Sequence, residues 1–292
     1  MIRLNKYMAD HGIASRRRCD ELITEGKVMI DGEIITQLGT IVDPEAQRVE
    51  IDGCILKPDK VNRRYYLLNK PAGVVCTNER RESKLRAIDM VTDRNKGRIY
   101  TVGRLDEDTV GLVILTSDGD FANLVMHPRY GVSKTYMVKI IGQIDDESLM
   151  KIRGGIFLSD GKTAGARVLV KKRSARQSTL LVTLHEGKNR EVRRIFARFG
   201  WKVSALKRIR IGELTDRGLK VGHWRALKSS EVKILRELAE GTRQEGEQSE
   251  GRRKSPGAPK SRAQKGGRPN QFGGGRGARS GGPQNGARRR SR

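Results

Sequence analysis

Cysteine is scarce in this chain: only Cys19, Cys54 and Cys76 occur among 292 residues, and no two of them form a Cys-x-x-Cys pair. That argues against a disulfide framework and a zinc ribbon, and it fits a reducing cytoplasm. Histidine is nearly as sparse, with His11, His127, His185 and His223 scattered along the sequence, so a metal centre has few ligands to draw on. No apolar run approaches the roughly 20 residues that a membrane-spanning helix needs, and the N-terminal MIRLNKYMADHG lacks the apolar core of a secretory signal. A cytoplasmic protein with no membrane partner is expected. A GxxxxGKS/T loop is missing, which makes nucleotide hydrolysis an unpromising function. No GxGxxG lies between a strand and a helix, so a dinucleotide or methyl-donor fold has no support. No Ser–His–Asp or Cys–His set announces itself either.

What the chain does carry is positive charge. Sixty Lys and Arg stand against 34 Asp and Glu, for a formal charge of +26 and a pI near 10.5. With membranes set aside, the expected polyanion is nucleic acid. Fourteen Lys and Arg against three Glu in 241–292 give that segment +11, leaving +15 for residues 1–240. The segment RRKSPGAPKSRAQKGGRPNQFGGGRGARSGGPQNGARRRSR is built of Gly, Arg, Ser and Pro with Phe272 as its one aromatic. It cannot bury enough apolar surface to offset chain entropy, so 241–292 is expected to be a disordered basic tail.

Residues 1–60 read as a compact unit. LNKYMADHGI suggests a short helix ended by Gly12, and Ser15 is a plausible N-cap for a second helix, RRRCDELITEG, closed by Gly26. Cys19, Leu22 and Ile23 then face inward, leaving Arg16 and Arg17 outside, while KVMIDGEII signals a hairpin around Asp31-Gly32. After a linker near Asp59-Lys60, strand-like segments dominate residues 61–240: YYLLN, IYTV, GLVILT, TYMVKII, ARVLV, TLLVTL and KVSALKRIRI. Helical patches intervene at DFANLVMHP, DDESLMKI, NREVRRIFARFG and SSEVKILRELAEG. The fold class predicted is α+β, with a mixed, mainly antiparallel sheet and no regular βαβ alternation.

The stretch GRLDEDTVGLVILTSDGD (103–120) poses a question, because it sets Asp106, Glu107 and Asp108 between buried strands of a protein expected to bind a polyanion. Residues 5–33 resemble the S4 RNA-binding module nearly end to end. The 103–120 stretch resembles the signature of pseudouridine synthases, and YYLLNKPAGVVCT (65–77), SKTYMV (133–138) and LHEGKNREVRRIFARFG (184–200) match the other family blocks in order. The GRLD form, the S4 module and NREVRR resemble the RsuA/RluB branch, which acts on ribosomal RNA; FANLVMHP resembles the large-subunit, RluB-type members.

The resemblance implies isomerisation of uridine to pseudouridine in ribosomal RNA, expected to be the 23S RNA of the large subunit, by a monomer that uses no metal or organic cofactor. By the same resemblance the essential aspartate is Asp106, acting either as a nucleophile or as the base that takes the C2′ proton. Tyr136 is implied to stack on the flipped base and help remove the C5 proton, and Arg193 to pair with Asp106. The residues themselves add a helical reading. Val192, Ile195, Phe196 and Phe199 form an apolar stripe, so Arg190, Arg194 and Arg198 should point away toward solvent or RNA phosphate, with Arg193 at the stripe's edge. Arg104, Lys188, Arg190 and Arg194 are the expected RNA contacts near the site, Arg16 and Arg17 those of the S4 unit, and Glu107 and Asp108 are expected to be solvated turn residues. The competing reading is a non-catalytic RNA-binding or ribosome-assembly factor that retains the fold; loss of Asp106, Tyr136 or Arg193 would have favoured it, and all three are present.

Overall fold

A short strand, β1 (Ile2–Arg3), leads into α1 (Leu4–Asp10), whose Leu4, Tyr7 and Met8 recur at helical spacing and are buried. Ser15 caps α2 (Arg16–Thr24) by accepting a hydrogen bond from the Arg18 amide at 3.1 Å. Cys19 and Ile23 of α2 join a core with α1 and with a small antiparallel sheet. Its members are β2 (Val28–Ile30), β3 (Glu33–Ile35), β5 (Val49–Ile51) and β6 (Cys54–Ile55), in the order β3-β2-β5-β6, while β4 (Ile41–Val42) pairs with β1. Asp31 and Gly32 both sit at positive φ in the β2–β3 turn, which matches the right-handed twist of the two strands.

The computed structural model describes residues 1–57, 62–79 and 84–253, the stretch 242–253 as backbone only. The linker expected near Asp59-Lys60 and the tail from residue 254 onward lie outside the described residues.

The larger sheet holds β7 (Tyr65–Lys70), β8 (Tyr100–Val102), β9 (Val110–Thr116) and β10 (Lys134–Ile141), followed after the β11 (Phe157–Leu158) and β12 (Gly161–Lys162) hairpin by β13 (Arg167–Arg173), β14 (Gln177–Leu184), β15 (Val203–Ile211), β16 (Leu214–Thr215) and β17 (Trp224–Ala226). Its path is β13-β14-β10-β15-β9-β7-β17, with β16 beside β15 and β8 beside β9. Neighbours run antiparallel except β9 and β15, which meet in parallel at Lys207–Val110 and Arg208–Gly111. That meeting is very close. A Cβ on Gly111, whose φ is +118°, would lie 2.2 Å from the Arg208 carbonyl oxygen, so only glycine fits.

Both faces of the sheet are covered at β7 and β9, which explains their unbroken apolar runs. Along β9, Leu112 and Ile114 pack with α3 (Gly119–Met126) and α6 (Ser229–Arg253), while Val113 and Leu115 pack on the other face with Val74, Ala87, Val91 and Ile99. The far half of the sheet is covered by α4 (Asp146–Gly154) and α5 (Glu191–Ala197), through Leu149, Ile152, Val192, Ile195 and Phe196. One boundary differs from expectation: α6 does not stop near 240 but continues through Gly241 to Arg253. The extra turns are rich in Glu, Gln and Arg, good helix formers that outweigh three glycines.

Candidate active site

Between β8 and β9 the chain turns through Asp106, and the Thr109 amide closes that turn on the Asp106 carbonyl at 3.1 Å. The loop is fixed from below by Lys70. Its fully buried ammonium donates to the carbonyls of Pro71 and Val74, each at 2.8 Å, and of Glu107 at 3.2 Å. Burial, against weaker help from nearby acidic groups, holds this lysine below its ordinary pKa. The Gly73 amide adds a bond to the Glu107 carbonyl at 2.9 Å. The sequence reading passed over Lys70, although a lysine inside YYLLNK, among residues otherwise buried, was a visible signal.

Asp106 opens onto a cavity that Arg104, Tyr136, Lys188 and Arg190 also line. Tyr136 comes from β10, half-buried between two core clusters, with its ring at the cavity wall as a stacking role requires. Arg104 is exposed at the rim, and the Lys188 ammonium donates to the Lys162 carbonyl at 2.9 Å and lies 3.3 Å from Glu186. Expected residues from three distant stretches of chain therefore meet in one place.

The arginines depart from expectation. Arg190 does not turn away: its Nη1 lies 3.3 Å from Asp106 Oδ2. The helical-angle argument failed because Arg190 is the cap of α5 and not part of it, held in the left-handed region at φ 46°. Arg193 reaches Asp106 only at 4.0 Å through Nε, while its Nη2 contacts Asp108 at 2.8 Å and its Nη1 donates to the Val203 carbonyl at 3.3 Å. Asp108, expected to be merely solvated, is thus the shorter partner of Arg193. Glu107 likewise pairs with Lys84 at 2.6 Å. Arg194 does not face open solvent. It grips Asp160 and donates to Ser159 Oγ at 3.0 Å, and its hydrogen bonds lower the Asp160 pKa to about 2. Arg198 is exposed, as expected.

Arg16 and Arg17 are exposed on the first turn of α2, beside clefts that run between the N-terminal unit and the larger sheet. Arg16 shares its cleft with Tyr100 and Met126, and Arg17 shares another with Arg86 and Arg98. The second half of the 103–120 stretch has its own buried carboxylate, Asp118, which sequence reasoning left without a role. It accepts from Tyr65 at 2.6 Å, Arg236 at 2.7 Å and Arg63 at 3.1 Å, and caps α3 through the amides of Asp120 and Phe121. Burial pushes its pKa up, but Tyr65, the Phe121 amide, Arg63 and Arg236 together outweigh burial and leave it below the ordinary value. Among the described residues, no group of His, Cys, Asp and Glu is placed to hold a metal ion, and no helix is long and apolar enough to cross a membrane.

This arrangement has known counterparts. A family model described as RNA pseudouridylate synthase matches residues 64–198, and an S4 domain model matches residues 2–53. The chain belongs to the RNA pseudouridylate synthase family. It is 44% identical over 245 residues to ribosomal large subunit pseudouridine synthase B of Bacillus subtilis, an alignment spanning 82% of this chain and 98% of that one. It is also similar to the protein of the same name from Vibrio vulnificus, 34% identical over 82% of this chain and 75% of that one. A crystal structure of a pseudouridylate synthase superposes with a TM-score of 0.58 at 28% identity, covering 80% of this chain and all of that one.

Proposed function

We propose that this protein converts uridine to pseudouridine in the ribosomal RNA of the large subunit, acting in the cytoplasm as a monomer, with residues 1–60 as its RNA-binding unit and 61–240 as its catalytic domain. The observation that carries the reading is the convergence of Asp106, Tyr136 and Arg190 on one cavity, in a chain 44% identical to a large-subunit synthase. In the reaction the N1–C1′ bond breaks, the uracil turns, C5 bonds to C1′, the C5 proton leaves and N1 takes up a proton, so no atom is gained or lost overall. Asp106 is the group at the reacting centre, as nucleophile or as base.

The geometry supplies the electrostatics. The guanidinium groups of Arg190 and Arg193 stand at 3.3 and 4.0 Å from the Asp106 carboxylate and orient it toward the cavity. Tyr136 supplies a ring for the extruded base and a hydroxyl for the C5 proton. The answer to the acidic run in a basic protein follows. Phosphates meet the Lys and Arg of the rim, whereas a neutral base and ribose enter where Asp106 stands. Chemical mapping of pseudouridine in ribosomal RNA, from cells with and without the gene, tests the reading. Loss of one or a few large-subunit pseudouridines in the deletion strain supports it; an unchanged map refutes it.

A further inference from the structure

Glu191 is an unusual neighbour for the cavity. It is 4% exposed, lines the same wall as Asp106 and Tyr136, and its Oε1 is buried with no hydrogen-bond donor to serve it. Its other oxygen, Oε2, accepts from the Lys188 amide at 3.1 Å, closing the turn that holds Arg190 in its left-handed conformation. The second carboxyl of the loop, Glu186, lies in hydrogen-bonding contact with Glu191 and accepts from the Ala164 amide at 2.7 Å, just beyond β12. Two carboxylates cannot both be charged at such a contact without strong repulsion.

We propose that Glu191 is a positioning residue for the reaction: its neutral carboxyl donates one proton to the Glu186 carboxylate, and this shared hydrogen bond locks the 186–190 loop so that Arg190 reaches Asp106. The proton satisfies the otherwise orphaned Oε1. It also joins two anchors, the Lys188 amide and the Ala164 amide, into one brace. The proposal rests on the catalytic reading given above.

The surroundings fit a neutral Glu191. Burial first, then the hydrogen bond with Glu186, raises its pKa to about 8, while the same contact helps lower that of Glu186. From its own loop it faces Glu186 and Lys188, and from the next turn of α5 it faces Arg194. From β10 it faces the buried Lys134, beside which lies Arg208 of β15. Lys134 is itself held down to about 8 by burial first and then by Arg208, so it adds little compensating charge as pH rises. Across the cavity stand Asp106, Tyr136, Arg104 and Arg190. Because the carboxyl's pKa is raised from 4.5 to about 8, the stability it lends is complete below the lower value and lost as pH rises through the upper one.

Three variants of the full-length protein test this, assayed by tritium release from 5-tritiated uridine in a large-subunit RNA transcript and by thermal melting from pH 6 to 9.5. Glu191→Gln keeps a donor that does not titrate, and should retain at least about a third of wild-type kcat/KM at pH 7. Wild-type kcat/KM should drop about tenfold further than this variant between pH 7 and pH 9, since ionisation above pH 8 removes the brace tenfold per unit. Its melting temperature should also decline more steeply than the variant's. Glu191→Ala should lose at least about tenfold in kcat at pH 7. Glu186→Gln should move the alkaline midpoint down by about one unit, because the charge that holds the proton is gone. Parallel pH profiles for wild type and Glu191→Gln overturn the proposal, as does a folded but inactive Glu191→Gln or an unmoved midpoint in Glu186→Gln. A wild-type protein that makes no pseudouridine refutes the parent reading instead, and the melting comparison, which needs no substrate, still decides this one.

Discussion

Arg190 holds the shorter contact to Asp106: its Nη1 lies 3.3 Å from Asp106 Oδ2, while Arg193 approaches to 4.0 Å and turns its Nη2 to Asp108 at 2.8 Å. The proposed catalytic carboxylate is therefore served by two guanidinium groups with different tasks. Arg190, nearly half exposed, meets Asp106 from the solvent side, whereas Arg193, mostly buried, bridges Asp106 and Asp108 across the loop.

That division predicts different failures. Arg190→Ala should lower kcat about tenfold with the melting temperature unchanged, since an exposed pair contributes little to stability. Arg193→Ala should lower kcat by a similar factor and also the melting temperature, because it releases Asp108 and the Val203 carbonyl together. Kinetics and melting curves on both variants check this; identical effects on stability would contradict it.

Tyr136→Phe keeps the ring at the cavity wall and removes the hydroxyl. Release of tritium from C5 should slow by at least about a hundredfold, the low end of what one general acid–base group contributes, with RNA affinity within about twofold of wild type. Equal rates would leave stacking as its role.

Asp118→Asn probes the hub that joins Arg63, Tyr65, Arg236 and the start of α3. Breaking a buried, multiply bonded carboxylate costs about 3–5 kcal/mol. Since the folded-state pKa lies below 3.8, its contribution is present above that value and lost as pH falls through the lower one. Wild-type and variant melting temperatures should differ at pH 7 and converge as pH falls below 3.8. A constant difference across that range would contradict the assignment.

Some of the fold is legible in the sequence and some is not, for physical reasons. Element types were legible because periodicity is local: the alternation of Leu112 and Ile114 with Val113 and Leu115 faces two cores, as a continuous apolar run implies. Ser15 as a cap and Asp31-Gly32 as a turn were legible for the same reason. The convergence of Asp106 and Tyr136 followed from family resemblance alone, since nothing local joins residues on separate strands. Arg190 was misread because a helix-wheel angle holds only inside the helix, and it caps one. Gly111, Lys70 and Glu191 carry roles set by Arg208, the Glu107 carbonyl and the Lys188 amide, seen only once β9 meets β15 and the loops meet beneath the cavity.

Arg16 and Arg17 should contact RNA phosphate, being exposed at the cleft between the two parts of the chain. Replacing both with Ala should raise KM for structured ribosomal RNA several-fold, hold kcat near wild type, and reduce the slope of log affinity against log salt by about 1–2, one unit per lost contact. Unchanged binding at moderate salt would make them an ordinary solvated surface.

The central claim is that Asp106 performs the chemistry, and Asp106→Asn tests it most directly. The amide keeps the side chain's size and hydrogen bonding but cannot act as nucleophile or base. Tritium release from 5-tritiated uridine in large-subunit RNA should fall to background in a variant that melts within a few degrees of wild type and still binds the transcript. Turnover within about a hundredfold of wild type by that folded variant would contradict the account.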